Sequence, residues 1–251
     1  MTASPASKSK TSASTQPAYA GKLLRVDLTK RKCWAEPWGP EEMRDLLGGI
    51  GLGAMLLYRE TRKGKGNAKW DDPENRLILA TGPLAGLPVW GTGGLTVVTI
   101  GAGTNGPTST QANGFFGTNL KYSGYDAIVF QGQSKDWVYL YINDDVIELR
   151  DARDLLGKDA WETQAALGGK LGLSGHALSV YSIGPAGEHL VRWAAIQGDY
   201  GHVASKNGVG AVMGKKKVKA VAIVRGTKWL RAADPKGVVQ AADDIAHDLR
   251  T

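Results

Sequence analysis

The sequence predicts an α+β domain with largely antiparallel sheets. Three observations carry that prediction. Short apolar β-like runs recur along the chain, bounded by Gly, Pro, Asn and Asp. Thirty-four glycines in 251 residues cluster between those runs without a collagen-like period, as tight turns between many short strands require. Only a few stretches carry helical spacing, and they do not alternate regularly with the strands. No repeat at fixed period is visible.

Taken in order, Lys22 to Leu28 alternates as a strand, and the 29–32 turn returns it through Cys33 to Trp38 as a hairpin. A short helix follows from Pro40, with Pro at its start and acidic residues in the first turn. The run Gly48-Gly-Ile-Gly-Leu-Gly53 is expected to interrupt it, with helix resuming over 54–60. That run does not follow a strand directly, so a dinucleotide fingerprint is disfavoured; close packing of helix on sheet explains the glycines. Further strands are expected over 76–80, 95–100, 127–130, 137–142, 146–149, 177–183, 190–196 and 218–224. An irregular loop is expected over 101–117, and a turn at Gly184-Pro-Ala-Gly187. The clearest helix runs from Lys158 to Leu171, with Asp159 near its start. A last helix begins at Asp234-Pro235, Asp234 being a good cap, and has no stop signal before Thr251, which suggests that the natural chain continues.

The length allows one large domain or two small ones. With 42% hydrophobic residues and eight tryptophans, a packed core is affordable. Cys33 is the only cysteine, which excludes intrachain disulfides and any zinc site or iron–sulfur cluster built from this chain's thiolates alone. That fits a reducing, cytoplasmic compartment. No apolar run approaches a membrane span. Residues 1–20 lack the apolar stretch of a secretory signal and read as a disordered tail. The net charge of +7 gathers at Lys8, Lys10, 62–65 and 215–219. These clusters lack aromatic interleaving and any helix-turn-helix or zinc-finger spacing, so a solvated basic face or a dock for an acidic partner is favoured over nucleic acid.

The stretch from Asp199 to Gly214 concentrates small and polar residues between β-like runs. Such a loop suits an anionic or polar ligand gripped by backbone N–H groups. On composition alone it suits an ordinary tight crossover better.

Eight segments in order carry a family resemblance: Gly48-Gly-Ile-Gly-Leu-Gly, Ala80-Thr-Gly-Pro-Leu-Ala-Gly, Asn113-Gly-Phe-Phe-Gly, Leu120-Lys-Tyr-Ser-Gly-Tyr-Asp-Ala, Val138-Tyr-Leu-Tyr-Ile, Asp151-Ala-Arg-Asp-Leu-Leu-Gly-Lys, Ile183-Gly-Pro-Ala-Gly-Glu and Gly208-Val-Gly-Ala-Val-Met-Gly. Over residues 23–226 the chain resembles the N-terminal domain of the tungsten-containing aldehyde:ferredoxin oxidoreductase family. The resemblance implies two β-sheets over residues 21–226, forming a base for a bis-pterin cofactor (bis-molybdopterin) carrying tungsten or molybdenum. It implies oxidation of aldehydes to carboxylic acids, with electrons passed through a 4Fe–4S cluster to ferredoxin or an iron–sulfur subunit. The cluster ligands would lie beyond Thr251, residues 227–251 would open a following helical domain, and a homodimer is one expected assembly. Two other readings stay open: the active-site subunit of a class II benzoyl-CoA reductase, and a stand-alone basic binding module.

By the same resemblance three loops face the cofactor. They supply Gly93, Gly94 and Leu95; Gln111, Ala112, Asn113 and Gly114; and His202, Val203, Ala204, Ser205 and Lys206. Leu95 replaces the family's Arg, Gln111-Ala-Asn-Gly114 stands where it has Ala-Asn-Ser-Gly-Gly, with Gln111 opposite the family asparagine, and 202–208 replaces its Arg-Ala-Ala-Gly-Arg-Gly-Gly. Losing arginine removes forked donors that match phosphate, while Lys206 keeps a charge and His202 can donate. His202 is otherwise a loop histidine with a water-facing ring. Asn113 also reads as a turn former or positive-φ residue. His176 and His189 read as structural, Trp90, Trp137 and Trp193 as core, Cys33 as apolar filler and 215–219 as a solvated turn. No His, Asp or Glu spacing suggests a metal site of the chain's own.

Overall fold

A computed structural model of the chain describes residues 16–62 and 68–249. Residues 1–15, most of the expected tail, and most of the basic 62–65 cluster lie outside them.

Twelve strands form two six-stranded sheets. The first contains β1 (Lys22–Asp27), β2 (Lys32–Pro37), β3 (Leu77–Ala80), β4 (Leu95–Ile100), β5 (Pro107–Ala112) and β6 (Ala127–Gln131), in the order β2-β1-β6-β3-β4-β5. The second contains β7 (Val138–Asn143), β8 (Val146–Asp151), β9 (Leu178–Ser182), β10 (Ile196–Gly198), β11 (His202–Ala204) and β12 (Val218–Val224), in the order β11-β10-β9-β12-β7-β8. The sheets are mixed: β1 runs parallel to β6 and β12 parallel to β7, and every other pairing is antiparallel. The α+β class holds, with one parallel neighbour inside each sheet.

Period-two burial builds the layers. Leu77 and Leu79 of β3 point into a central core with Val138, Leu140 and Ile142 of β7, so the two sheets share it. The intervening Ile78 and Ala80 face α1 (Pro40–Leu46) and α2 (Gly49–Thr61) through Met43, Leu52, Leu56 and Leu57. On the second sheet, Tyr139 and Tyr141 face Leu167 of α4 (Ala160–Leu171). Two short helices, α3 (Phe116–Tyr122) and α6 (Val209–Lys215), add Phe116, Leu120, Val212 and Met213 to the central core. The short α5 (Pro185–Glu188) and the terminal α7 (Pro235–Asp248) complete the fold.

Several local expectations change. The expected break falls at Leu47 and Gly48, between α1 and α2, and helix resumes at Gly49 rather than 54; a Cβ on Gly53 would sit 2.5 Å from Val98 of β4, so the missing side chain lets helix and sheet touch. The expected 101–117 loop contains β5, whose Pro-Thr-Ser-Thr-Gln-Ala sequence is too polar to read as a strand but pairs with β4 along its whole length. The expected 190–196 strand shrinks to β10, and the Gly184 turn closes as α5. Residues 18–20, placed in the tail, are tied down: Ala18 N donates to Arg231 O at 2.8 Å and Ala20 N to Asp126 at 3.1 Å, beside Gly21 N, which donates to Asp126 at 2.7 Å. Trp90 and Trp193 are not core but 76% exposed, whereas Trp137 is partly buried against it. Nor is the 215–219 run a solvated turn. Lys216 is buried and donates to Gly132 O at 2.9 Å; Lys219, at a register shift in β12, donates to Ile183 O, Lys158 O and Glu188. Cys33 is half-buried against the core, and burial pushes its thiol up to about 11, as a filler rather than a nucleophile.

Candidate functional site

The three predicted loops meet where the edge strand of one sheet, β5, packs against the edge strand of the other, β11. The β4–β5 register pairs Leu95 with Ala112, which sets the loop entering β4 beside the loop leaving β5. The two loops touch through backbone. Gly117 N donates to Gly93 O at 2.8 Å, and a Cβ on Gly93 would lie 2.5 Å from Gly114 O. Any side chain at Gly93 would force them apart.

The third loop is a hairpin, pairing Gly198 with His202 across Asp199-Tyr-Gly201. All three turn residues take positive φ, at 45°, 63° and 118°. Two of them are not glycine, so the turn is strained and other contacts must hold it. Asp199 supplies those contacts. Its carboxylate is 3% exposed and accepts from Phe115 N at 2.9 Å, Ser179 Oγ at 2.9 and 3.0 Å, and Val180 N at 3.2 Å. Burial pushes its pKa up to about 6, against those hydrogen bonds and the nearby His202, which favour the carboxylate. Gly114, at φ 96°, fits beneath it: a Cβ there would lie 2.7 Å from Asp199 Oδ2 and 3.1 Å from the His202 ring.

Farther along the seam, Lys206 N donates to Thr110 Oγ1 at 3.4 Å. Asn207, at φ 59°, accepts from Thr104 N at 2.9 Å and donates to Thr104 Oγ1 at 3.0 Å. Tyr181 OH donates to Asn113 O at 2.5 Å.

The twelve predicted residues divide by exposure. Gln111, Asn113, Val203, Ser205 and Lys206 are exposed, and Gly93, Gly94, Gly114 and His202 are half-buried. Leu95, Ala112 and Ala204 are buried in the core, so only their backbone can serve a ligand. Asn113 does not adopt positive φ; Gly114 takes that role. Sequence reasoning missed Asp199, Phe115, Asn207 and Tyr181 as the ties between loops. The only signal was a lone carboxylate opening a glycine-containing loop.

The exposed donors are amide, hydroxyl, imidazole and ammonium, and the seam's carboxylate is turned inward onto four hydrogen bonds. This donor set fits an anionic, polar-edged ligand such as a phosphate-bearing pterin. Among the described residues no cluster of three His, Cys, Asp or Glu could hold a metal, so a metal here would bring its other ligands with it.

Residues 23–225 match the family model described as aldehyde ferredoxin oxidoreductase, N-terminal domain. The tungsten-containing aldehyde ferredoxin oxidoreductase of Thermococcus kodakarensis is 42% identical over 232 residues, covering 92% of this chain and 37% of that protein. The aliphatic sulfonate oxidoreductase, WOR-like subunit, of Pyrococcus furiosus is 36% identical over 221 residues, covering 81% of this chain and 34% of that protein. Among solved structures, the active-site complex BamBC of benzoyl coenzyme A reductase in complex with 1,5-dienoyl-CoA aligns with a TM-score of 0.87 at 37% identity, over 94% of this chain and 35% of that one. The chain thus spans between 34% and 37% of the length of these relatives. With sequence and fold agreeing across both sheets, the chain belongs to the aldehyde ferredoxin oxidoreductase family, as its N-terminal domain.

Proposed function

We propose that this domain is the base for a bis-pterin cofactor carrying tungsten, or molybdenum, in an oxidoreductase that converts aldehydes to carboxylic acids. When bound, that group would supply the oxygen-atom and electron chemistry, and the protein positioning and electrostatics. The observation that supports the reading most is the convergence of three loops on one seam whose outward side chains are neutral donors and a cation. Lys206 would offset phosphate charge as a point cation; Gln111, Asn113 and Ser205 would donate to polar edges. Gly93, Gly94 and Gly114 would let the ligand approach backbone N–H groups closely. Leu95 and Val203 offer no side-chain donor, so the grip would rest on backbone, on Lys206 and His202, and on the donors of Gln111, Asn113 and Ser205.

Electrons would leave through a 4Fe–4S cluster held mainly by residues beyond Thr251, to ferredoxin or an iron–sulfur subunit in the cytoplasm. No helix among the described residues is long and apolar enough to cross a membrane. A homodimer remains part of this proposal. A second reading, the active-site subunit of a benzoyl-CoA reductase, is favoured by the 0.87 TM-score to such a complex. The stand-alone basic module loses support because Lys216 and Lys219 of its main basic run are buried.

The test is anaerobic purification of the full natural protein that carries this domain, with tungsten, molybdenum and pterin measured together. Bound metal and pterin with aldehyde-dependent reduction of a viologen dye is the expected result. Reduction of benzoyl-CoA instead selects the second reading. Protein that folds but retains neither metal nor pterin sinks both.

A further inference from the structure

We propose that the cleft between the 87–93 loop and α3 is a binding site for a planar aromatic carboxylate carrying a ring hydroxyl or amine, separate from the loop seam. The cleft encloses about 420 Å³ and is lined by Val89, Trp90, Phe115, Asn119, His176 and Arg225. That volume suits one small organic molecule. Its walls divide by chemistry. Val89 and Trp90 form an apolar side, with the Trp90 indole 76% exposed. Phe115 and His176 stack at 4.6 Å and 27°, presenting flat ring surface. The exposed Arg225 has no carboxylate partner among the described residues, and its guanidinium stands 5.2 Å from the Tyr122 ring centroid. A free guanidinium fork matches a carboxylate.

The remaining requirement comes from Asn119, which is 1% exposed. Its amide nitrogen donates to His176 O and Ile223 O, both at 3.3 Å, which fixes the side chain's orientation. Its Oδ1, on the cleft-lining residue, has no partner. A buried acceptor left unpaired is costly, so a complementary ligand brings an O–H or N–H donor. One water would satisfy that oxygen, but it would leave the exposed indole and the unpaired guanidinium unexplained. A flat ring against Trp90 and Phe115, a carboxylate on Arg225 and a ring hydroxyl toward Asn119 answer all three.

Gly93 and Gly114 belong to both the cleft and the loop seam, so the two sites share a wall. Under the aldehyde-oxidising reading, the acid made from an aromatic aldehyde has this chemistry, but the site stands on its own geometry.

The test uses the full natural protein and 4-hydroxybenzoate as probe, followed by isothermal titration calorimetry. Saturable binding is expected, weakened about ten-fold or more by Arg225→Gln, which removes the charge-assisted fork. Trp90→Ala should weaken it about three- to ten-fold through lost ring contact. Both side chains are exposed, so circular dichroism should show both variants folded. The corresponding alcohol, lacking the carboxylate, should bind as weakly to wild type as the acid does to Arg225→Gln. Absence of saturable binding, wild-type affinity in both variants, or equal affinity of wild type for acid and alcohol overturns the proposal. Folded protein without metal or pterin that still binds the acid defeats the cofactor reading alone. Cofactor-loaded protein that ignores the acid defeats this one alone.

Discussion

Replacing Asp199 by Asn separates the charge of the loop clamp from its shape. Burial holds the carboxyl up at about 6, from 3.8. Between those values the folded protein keeps a proton that the unfolded chain has lost, so stability falls as pH rises through the window and stays lower above it. The full shift of about two units corresponds to about 3 kcal/mol at neutral pH, and about 2 kcal/mol of it develops between pH 4.5 and 7.5. Asn carries no such penalty. It does present one acceptor oxygen in place of two, so one of the donors from Phe115, Ser179 and Val180 goes unpaired, at about 1–3 kcal/mol. Asp199→Asn is therefore expected to be less stable than wild type at pH 4.5, with the gap narrowing by about 2 kcal/mol at pH 7.5. Urea unfolding of both proteins at the two pH values measures this. Asp199→Ala, which leaves all three donors without an acceptor, should cost about 3–5 kcal/mol at pH 4.5, about 2 kcal/mol less at pH 7.5, and speed amide exchange over 113–116. A stability gap that does not change with pH would refute the argument, since it would mean that Asp199 titrates like an ordinary surface carboxylate.

Lys216 carries the opposite sign. Burial, with Arg76 nearby, lowers its pKa to about 7, from 10.5, so stability should rise with pH between those values. Lys216→Met should flatten that rise in thermal melts and stabilise most at pH 6, with an upper bound of about 5 kcal/mol. Gly53→Ala drives a methyl into Val98 and should cost about 1–3 kcal/mol in urea unfolding, part of which Val98→Ala in the same chain should restore. Lys206→Ala and Gln111→Ala change exposed side chains and should leave stability within about 0.5 kcal/mol while lowering the metal and pterin content of the purified full protein. Unchanged content in both would remove these side chains from the cofactor grip.

Local pattern made the fold legible wherever both strand faces are buried. β3, β4, β6, β7, β9 and β12 are rich in apolar residues and buried along nearly their whole length, and the sequence places all six. Asp159 likewise announces α4 and caps it, its side chain and that of Glu162 each accepting from the other's backbone N–H. What failed to show depends on partners distant in the chain. Lys216 and Lys219 look like surface residues because a lysine's burial depends on whether carbonyls such as Gly132 O and Ile183 O lie within reach. Trp90 looks like core because hydropathy does not reveal that its indole ends up 76% exposed. The three loops of the seam were legible through resemblance. Their tie was not, because Asp199 reaches Phe115 across 84 positions of sequence.

The two strands that sequence reading missed, β5 and β11, also explain where the site lies. β5 and β11 end their sheets, and an edge strand presents backbone donors and acceptors with no neighbour to take them. An apolar β5 there would invite pairing with another chain. Thr108, Ser109, Thr110 and Gln111 instead keep the edge polar, and the same polarity makes the segment read as loop. β11 is only three residues long and joins β10 through a strained turn, which leaves the groups beyond Ala204 free to face outward. Two edges that a folded protein must protect are thus brought side by side, clamped by Asp199 and Asn207, and lined with donors. A ligand that satisfies those donors would cover both edges at once. Its binding should therefore protect the amides of 108–114 and 202–206 from exchange together, and protection of one segment without the other would separate the two edges as independent sites.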